Sequence, residues 1–171
     1  MVRRRIAGFM DGAARLPQIS LRSPVGDLTV SEEAGSIVAI DWGWGRDQAA
    51  TPVLLRARDQ LHAYFDGALT RFDLPLAPSG SAYRQRVWAA LRAVPYGSTC
   101  SYLDVTRVAG GSPRTVGGAN GANPIPIVIP CHRVLATTGL GGYSGGDGLD
   151  TKRFLLSLEG DTLAAARPVA A

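Results

Sequence analysis

"SYLDVTRVAGGSPRTVGGANGANPIPIVIPCHRV", residues 101–134, carries the signals that decide how this chain folds. Its opening, SYLDVTRVA, reads as a short helix closed by Gly110 and Gly111. SPRTVGGANGAN then offers Ser112 as the cap of a second short helix, with Pro113 at its first turn. Two short helices across a glycine turn make a helix-turn-helix. After Arg114 the second helix is almost all Thr, Val, Gly, Ala and Asn. Such poor helix formers make sense where a backbone must approach another surface closely, though the same glycine content fits a loop equally well. The apolar run 125–129 is flanked or interrupted by prolines at 124, 126 and 130, which confine it to an irregular or edge strand.

Cys131 and His132 close that run, in a chain with only two cysteines and two histidines. A lone cysteine is usually a small buried hydrophobe. Structural zinc wants four Cys/His ligands in paired spacing, and this scatter does not supply them, so no metal is expected. A cysteine nucleophile needs an imidazole within reach and a third group to orient it. In an extended segment neighbouring side chains point to opposite sides, so His132 is expected not to touch Cys131 directly. A bridging water then relays the proton. Glu159, on the last helix, is an available carboxylate to orient the ring.

Charge supports a polyanionic partner modestly. The net charge is +4. Residues 1–78 balance nine Arg against nine Asp and Glu, whereas residues 79–134 set six Arg against Asp104 alone. The positive excess thus leads into the Cys-His pair. Surface arginines placed by chance would give the same count. No apolar run approaches the ~20 residues of a membrane helix. The opening MVRRRIAGFMDG resembles a signal peptide, but Asp11 interrupts its short apolar stretch, so a cytoplasmic protein with a basic tail is expected. Cys100 and Cys131 read as free thiols.

Working outward, residues 18–45, containing ISLRSPVGDLTVSEEAGSIVAIDWGWG, alternate like a strand meander. Residues 50–66 place Leu54, Leu55, Leu61, Tyr64 and Phe65 near one helical face, with His62 at the surface or boundary. FDLPL reads as a short strand before a Pro/Gly/Ser linker at 78–81. SAYRQRVWAALRAV starts a helix capped by Ser81, with a stripe of Val87, Trp88, Leu91 and Val94. LDTKRFLLSLEG is a final amphipathic helix with Gly160 past its end. The fold expected is α+β: residues 1–78 form a small sheet-plus-helix domain, and 79–171 a helical, winged helix-turn-helix-like domain.

The run NPIPIVIPCHRV, preceded by RTVGGANGA and followed by GGYSGG, strongly resembles the O6-alkylguanine-DNA alkyltransferases, or methylated-DNA–protein-cysteine methyltransferases. The agreement runs from about Tyr83 to Glu159. It is weaker before the linker, where SPVGDLT, AYFDG and FDLPL carry it. The resemblance implies a ribonuclease H-like first domain. It implies DNA repair by one irreversible transfer of the alkyl group from guanine O6, and weakly from thymine O4, onto Cys131, with no cofactor. His132, polarised by Glu159 and acting through water, lowers the thiol's pKa. Asn123 is the hinge that ties the helix-turn-helix to the active-site strand. The partner implied is double-stranded DNA carrying O6-alkylguanine, met from the minor groove by a monomer associated with the nucleoid. The base leaves the stack; Tyr102 rotates it out and Arg114 fills its place. Gly117, Gly118, Ala119 and Asn120 let the second helix sit deep in the groove. Carbonyls of Cys131 and Val134 and the Ser144 amide read the guanine, and Tyr143 and Arg133 belong to the pocket.

Three features depart from the family pattern. The turn before Arg114 is about two residues short, Cys100 precedes Ser101-Tyr102 where another residue type is expected, and the first half lacks the cysteines of relatives with zinc there. A damage sensor of this family would lack the acceptor cysteine, which is present. A helix-turn-helix regulator would need base-reading side chains that the Gly/Ala-rich helix does not offer.

Overall fold

The computed structural model describes residues 15–160; the basic opening and the Ala-rich end lie outside the described residues. Three antiparallel strands come first: β1 (Gln18–Leu21), β2 (Leu28–Glu33) and β3 (Ser36–Trp42), in the order β1-β2-β3. A turn over Ser23–Gly26 joins the first pair. Ala34 and Gly35, at φ 49° and 80°, make the two-residue turn of the second, a geometry matched to the strands' twist. Alternation along β2 buries Leu28 and Val30, and a register shift in β3 opposite Ser31 and Glu32 lets Ile37 and Ile40, three residues apart, both be buried. Helix α1 (Pro52–Phe65), capped by Thr51, packs on the sheet and buries Leu54, Ala57, Leu61 and Tyr64. Full burial of each large apolar side chain contributes about 1.5–3 kcal/mol.

Four expectations in this half are refined. Leu55 points outward, 37% exposed, because it follows Leu54 by a 100° turn of the helix. Phe65 is half-buried, and His62 is exposed. FDLPL forms no strand; Leu76 makes one parallel bridge to Ile37, since the flanking prolines have no N–H to extend a ladder.

The second half is helical. Helix α2 (Ala82–Arg92) starts at Ser81, whose hydroxyl accepts from the Arg84 N–H, and buries Val87, Trp88 and Leu91. Strand β4 (Cys100–Ser101) leads into α3 (Tyr102–Ala109), where Ser101 and Asp104 form a capping box. Gly110 and Gly111, both at positive φ, turn the chain into α4 (Pro113–Gly121). The glycine-rich segment is therefore a helix, fixed by the Ser112–Thr115 capping box and by Trp88 Nε1 donating to the Ala119 carbonyl at 2.9 Å.

Residues 125–130 form turns rather than a strand, with Ile127 at φ +74°. Cys131–Arg133 is a single 3-10 turn, not the extended segment expected; β5 (Val134–Leu135) follows and pairs in parallel with β4. Helix α5 (Leu149–Leu158) closes the described chain and brings Glu159 back under the 3-10 turn. The two halves are sewn together by the Ile40 N–H donating to the Pro124 carbonyl at 2.9 Å and by Tyr64 meeting Glu159.

Candidate active site

Cys131 is 5% exposed and lies against a cavity of about 470 Å³. Tyr102, Gly117, Asn120, Asn123, Tyr143 and Ser144 all border that space, so with Cys131 half of the residues singled out in the sequence converge there. Asn123 locks the proline-rich turn: its Nδ2 donates to the Ile129 carbonyl at 2.8 Å, and its Oδ1 accepts from the Ile125 N–H at 3.0 Å. That bracing positions the segment carrying Cys131.

Beneath the cysteine lies a buried carboxylate. Glu159 Oε1 is 2.7 Å from His132 Nε2 and accepts from Tyr64 Oη at 2.6 Å. Arg133 spans both oxygens, Nε at 2.8 Å and NH2 at 2.9 Å. Burial alone would raise the Glu159 pKa, but the His132 and Arg133 donors outweigh it and hold the group at about 2. Glu159 is thus ionised, and we assign the His132 tautomer from it, with Nε2 carrying the proton and donating to the carboxylate. Burial pushes the His132 pKa down despite Glu159, which keeps the ring neutral. Its Nδ1 is buried and accepts from no protein donor, so a basic lone pair is held ready inside the site.

The thiol itself is not pre-ionised. Burial pushes the Cys131 pKa up, while the Asn123 side chain, the Lys152 charge and Tyr143 pull it down without prevailing. This runs against the expectation of a depressed pKa: the neutral His132 adds no positive charge beside the thiol. The Tyr143 hydroxyl is buried toward the thiol without a well-formed hydrogen bond. Tyr102 packs its ring near Gly117 and Gly141, and its pKa is raised by burial and by Cys131.

Several expected assignments change. Arg133 does not line the Cys131 cavity: the 3-10 turn sends it the other way, onto Glu159 and the Val94 carbonyl, where it borders a separate cavity of about 870 Å³. Val134 is fully buried, and its carbonyl accepts from Lys152 Nζ at 2.7 Å. Ala119 and Asn120 lie on the inner face of α4 rather than its outer one. Ala119 meets Trp88, and Asn120 Nδ2 donates to the Cys131 carbonyl at 3.3 Å. Gly118 and Arg114 are on the outer surface, and Gly117 is half-buried at the cavity. Cys100, where a passive residue rather than a second reactive thiol is expected, is 1% exposed, and burial pushes its thiol up to about 12.

Lys152 is the residue the sequence reading missed. It is fully buried, and its Nζ also donates to the Leu140 and Gly142 carbonyls at 2.5 and 3.2 Å. Burial pushes its pKa down to about 8, against the pull of Cys131 and Cys100. One ammonium therefore fastens β5 to the glycine-rich loop that carries Tyr143 and Ser144. A signal was present: Lys152, Leu155, Leu156 and Glu159 fall at i, i+3, i+4 and i+7, so two charges sit on the helix's core stripe.

A buried nucleophile, a neutral imidazole held by a carboxylate and an adjoining cavity suit transfer of a small group onto sulfur. Residues 18–78 match the family model described as 6-O-methylguanine DNA methyltransferase, ribonuclease-like domain, and residues 82–161 match its DNA binding domain. A methylated-DNA–protein-cysteine methyltransferase of Mycolicibacterium paratuberculosis is 49% identical over 120 residues, 68% of this chain and 70% of that one. One from Methanosarcina barkeri is 40% identical over 155 residues, 84% of this chain and 96% of its own. The crystal structure of Mycobacterium tuberculosis OGT in complex with DNA superposes with a TM-score of 0.74 at 42% identity, covering 82% of this chain and 90% of that one. On sequence and architecture together, the chain belongs to the 6-O-methylguanine DNA methyltransferase family.

Proposed function

We propose that Cys131 is the acceptor of this DNA-repair methyltransferase, taking the alkyl group from O6 of guanine, and weakly from O4 of thymine, in one irreversible turnover. Membership of the family makes the protein a DNA-binding enzyme that moves an alkyl group to its own cysteine. The observation that carries the assignment is Cys131 at a cavity of about 470 Å³ beside α4, in the Pro130–Val134 motif.

The chemistry balances with the side chains at hand. Glu159 holds the Nε2 proton of His132, and Nδ1 takes the thiol proton through one water. The Cys131 sulfur attacks the alkyl carbon, so an S–C bond forms as the C–O6 bond breaks. The bonding pair returns to guanine, which regains a proton delivered from the imidazolium side. The thioether has no leaving group, and the protein acts once.

Guanine O6 lies in the major groove, so a protein that approaches from the minor groove must turn the base out of the duplex. Arg114 and Gly118 on the outer face of α4 supply the contact surface, with Gly117 at the cavity edge. Tyr102 stands at the cavity where the base arrives, and the Ser144 amide and Cys131 carbonyl read its edge. All these groups come from one chain, which supports action as a monomer, with its domain junction at 79–81.

The test is intact mass after mixing with duplex DNA carrying O6-methylguanine. One methyl per molecule, mapped to Cys131 and absent from Cys131→Ser, is expected. Label on Cys100, or turnover beyond one equivalent, would overturn the reading.

A further inference from the structure

We infer that Trp42, on the first domain's sheet, is the specificity-determining wall of the Cys131 pocket and limits the size of the alkyl group accepted. The inference rests on Cys131 being the acceptor, and goes beyond it by giving the N-terminal half a role in substrate selection.

Ile40, Asp41 and Trp42 end β3 at the same cavity that Cys131, Tyr143 and Gly145 border. The Trp42 indole meets the Tyr143 ring edge-on, with centroids 6.5 Å apart at 88°. Its Nε1 donates to the Val25 carbonyl at 3.0 Å, which fixes the ring's rotation from within the first domain. The glycine-rich loop is shaped around it. A Cβ at Gly145 would overlap Trp42 Cη2 and Cζ3, and one at Gly146 would come within 2.7 Å of Nε1. The loop thus has no side chain of its own beyond Ser144 on this side, and the indole of another domain occupies that space. The backbone bond from Ile40 to Pro124 holds β3 in place against the Cys131 segment. A wall made of one large, rotationally fixed ring discriminates by size: pockets of this kind separate substrates by tens of fold per missing or added carbon group.

The experiment compares two substrates on folded variants: duplex DNA with O6-methylguanine, and the free base O6-benzylguanine. In both, the Cys131 sulfur takes the carbon, the C–O6 pair returns to guanine, and guanine gains a proton. Trp42→Ala is expected to raise the ratio of benzyl to methyl rate constants by about tenfold or more, and Trp42→Phe, which retains the ring against the sheet, by less. Gly145→Ala in the natural background should slow both reactions, and its penalty should shrink when combined with Trp42→Ala, because the overlapping ring is gone. An unchanged or lower ratio in either folded Trp42 variant, or Gly145 and Trp42 penalties that simply add, would overturn the inference. Thermal melting identifies a variant that has lost its fold, and Trp42→Phe then carries the test. Absence of methyl transfer to Cys131 in the unaltered protein would instead sink the acceptor assignment.

Discussion

Tyr64 of α1 donates its hydroxyl hydrogen to Glu159 at 2.6 Å, inside the protein, across the junction between the sheet domain and the helical domain. The same carboxylate oxygen accepts from His132. The first half of the chain is therefore wired to the imidazole next to Cys131. Tyr64→Phe keeps the ring packing against Phe72 and Tyr96 and deletes one donor. A hydrogen bond to a charged group is worth about 1.5–3 kcal/mol, so chemical denaturation should show a loss of that order. The rate of methyl transfer should fall by less, since Arg133 and His132 still hold the carboxylate. A variant as stable as the natural protein would show that the contact contributes nothing.

Glu159 itself should matter for chemistry more than for DNA binding. Glu159→Gln removes the charge that holds the Nε2 proton on His132, so Nδ1 is no longer fixed as the base. Single-turnover methyl transfer should slow by about 10²-fold or more, with lesion-DNA affinity near that of the natural protein. Equal losses in affinity and rate would mean that Glu159 supports only the fold.

Acid should unfold the protein in two stages. His132 has its pKa lowered by burial, so the unfolded chain takes up that proton more readily, and stability present above about 6.5 declines as pH falls below it. Glu159, held at about 2 by its donors, contributes stability that is present above its ordinary value of 4.5 and lost as pH falls toward 2. Urea midpoints between pH 8 and 3 should drop gently first and steeply below about 4.5. Glu159→Gln should remove the steep limb alone.

Lys152 provides the positive charge that faces the thiol and pulls its pKa downward. Lys152→Met should therefore move the rising limb of iodoacetamide alkylation at Cys131 to higher pH. It also strands the carbonyls of Val134, Leu140 and Gly142, so amide exchange across 140–143 should quicken. An unmoved pH profile would show that the ammonium acts on the loop only.

Much of this architecture was legible because its signals are local. Ser81 and Ser112 cap the helices they precede, Gly110 and Gly111 end α3, and alternation sets the buried Leu28 and Val30 of β2. Asn123, Cys131 and His132 lie in one specific motif, and Glu159 is a carboxylate on the last helix, so they could be named before their geometry was known. The misreadings are tertiary in origin. Arg133 follows His132 in sequence, but the 3-10 turn sends it to Glu159, and no local rule announces that turn. Ala119 and Asn120 differ from Gly118 only in which side of α4 meets Trp88 and the Cys131 carbonyl. Lys152 and Trp42 act on loops remote in sequence, so their roles depend on packing that no window contains.

Arg114 gives the sharpest test of the proposal that the base is turned out of the duplex. It is the second residue of α4, exposed, and among the described residues no hydrogen bond or ion pair holds its side chain. A guanidinium at a helix start, free to leave the surface, is suited to enter a base stack because it is flat and donates in several directions. Extruding a base costs a few kcal/mol of stacking and pairing, and an inserted side chain recovers part of it. If about 2 kcal/mol is lost, Arg114→Ala should slow repair of O6-methylguanine in duplex DNA by one to two orders of magnitude. Dealkylation of free O6-benzylguanine involves no extrusion and should change little. Arg114→Lys should restore only part of the duplex rate, since an ammonium cannot stack. Equal losses on both substrates would assign Arg114 to the pocket or the fold. No loss on either would show that insertion falls to another side chain, and Arg107 on α3 would be the next to replace.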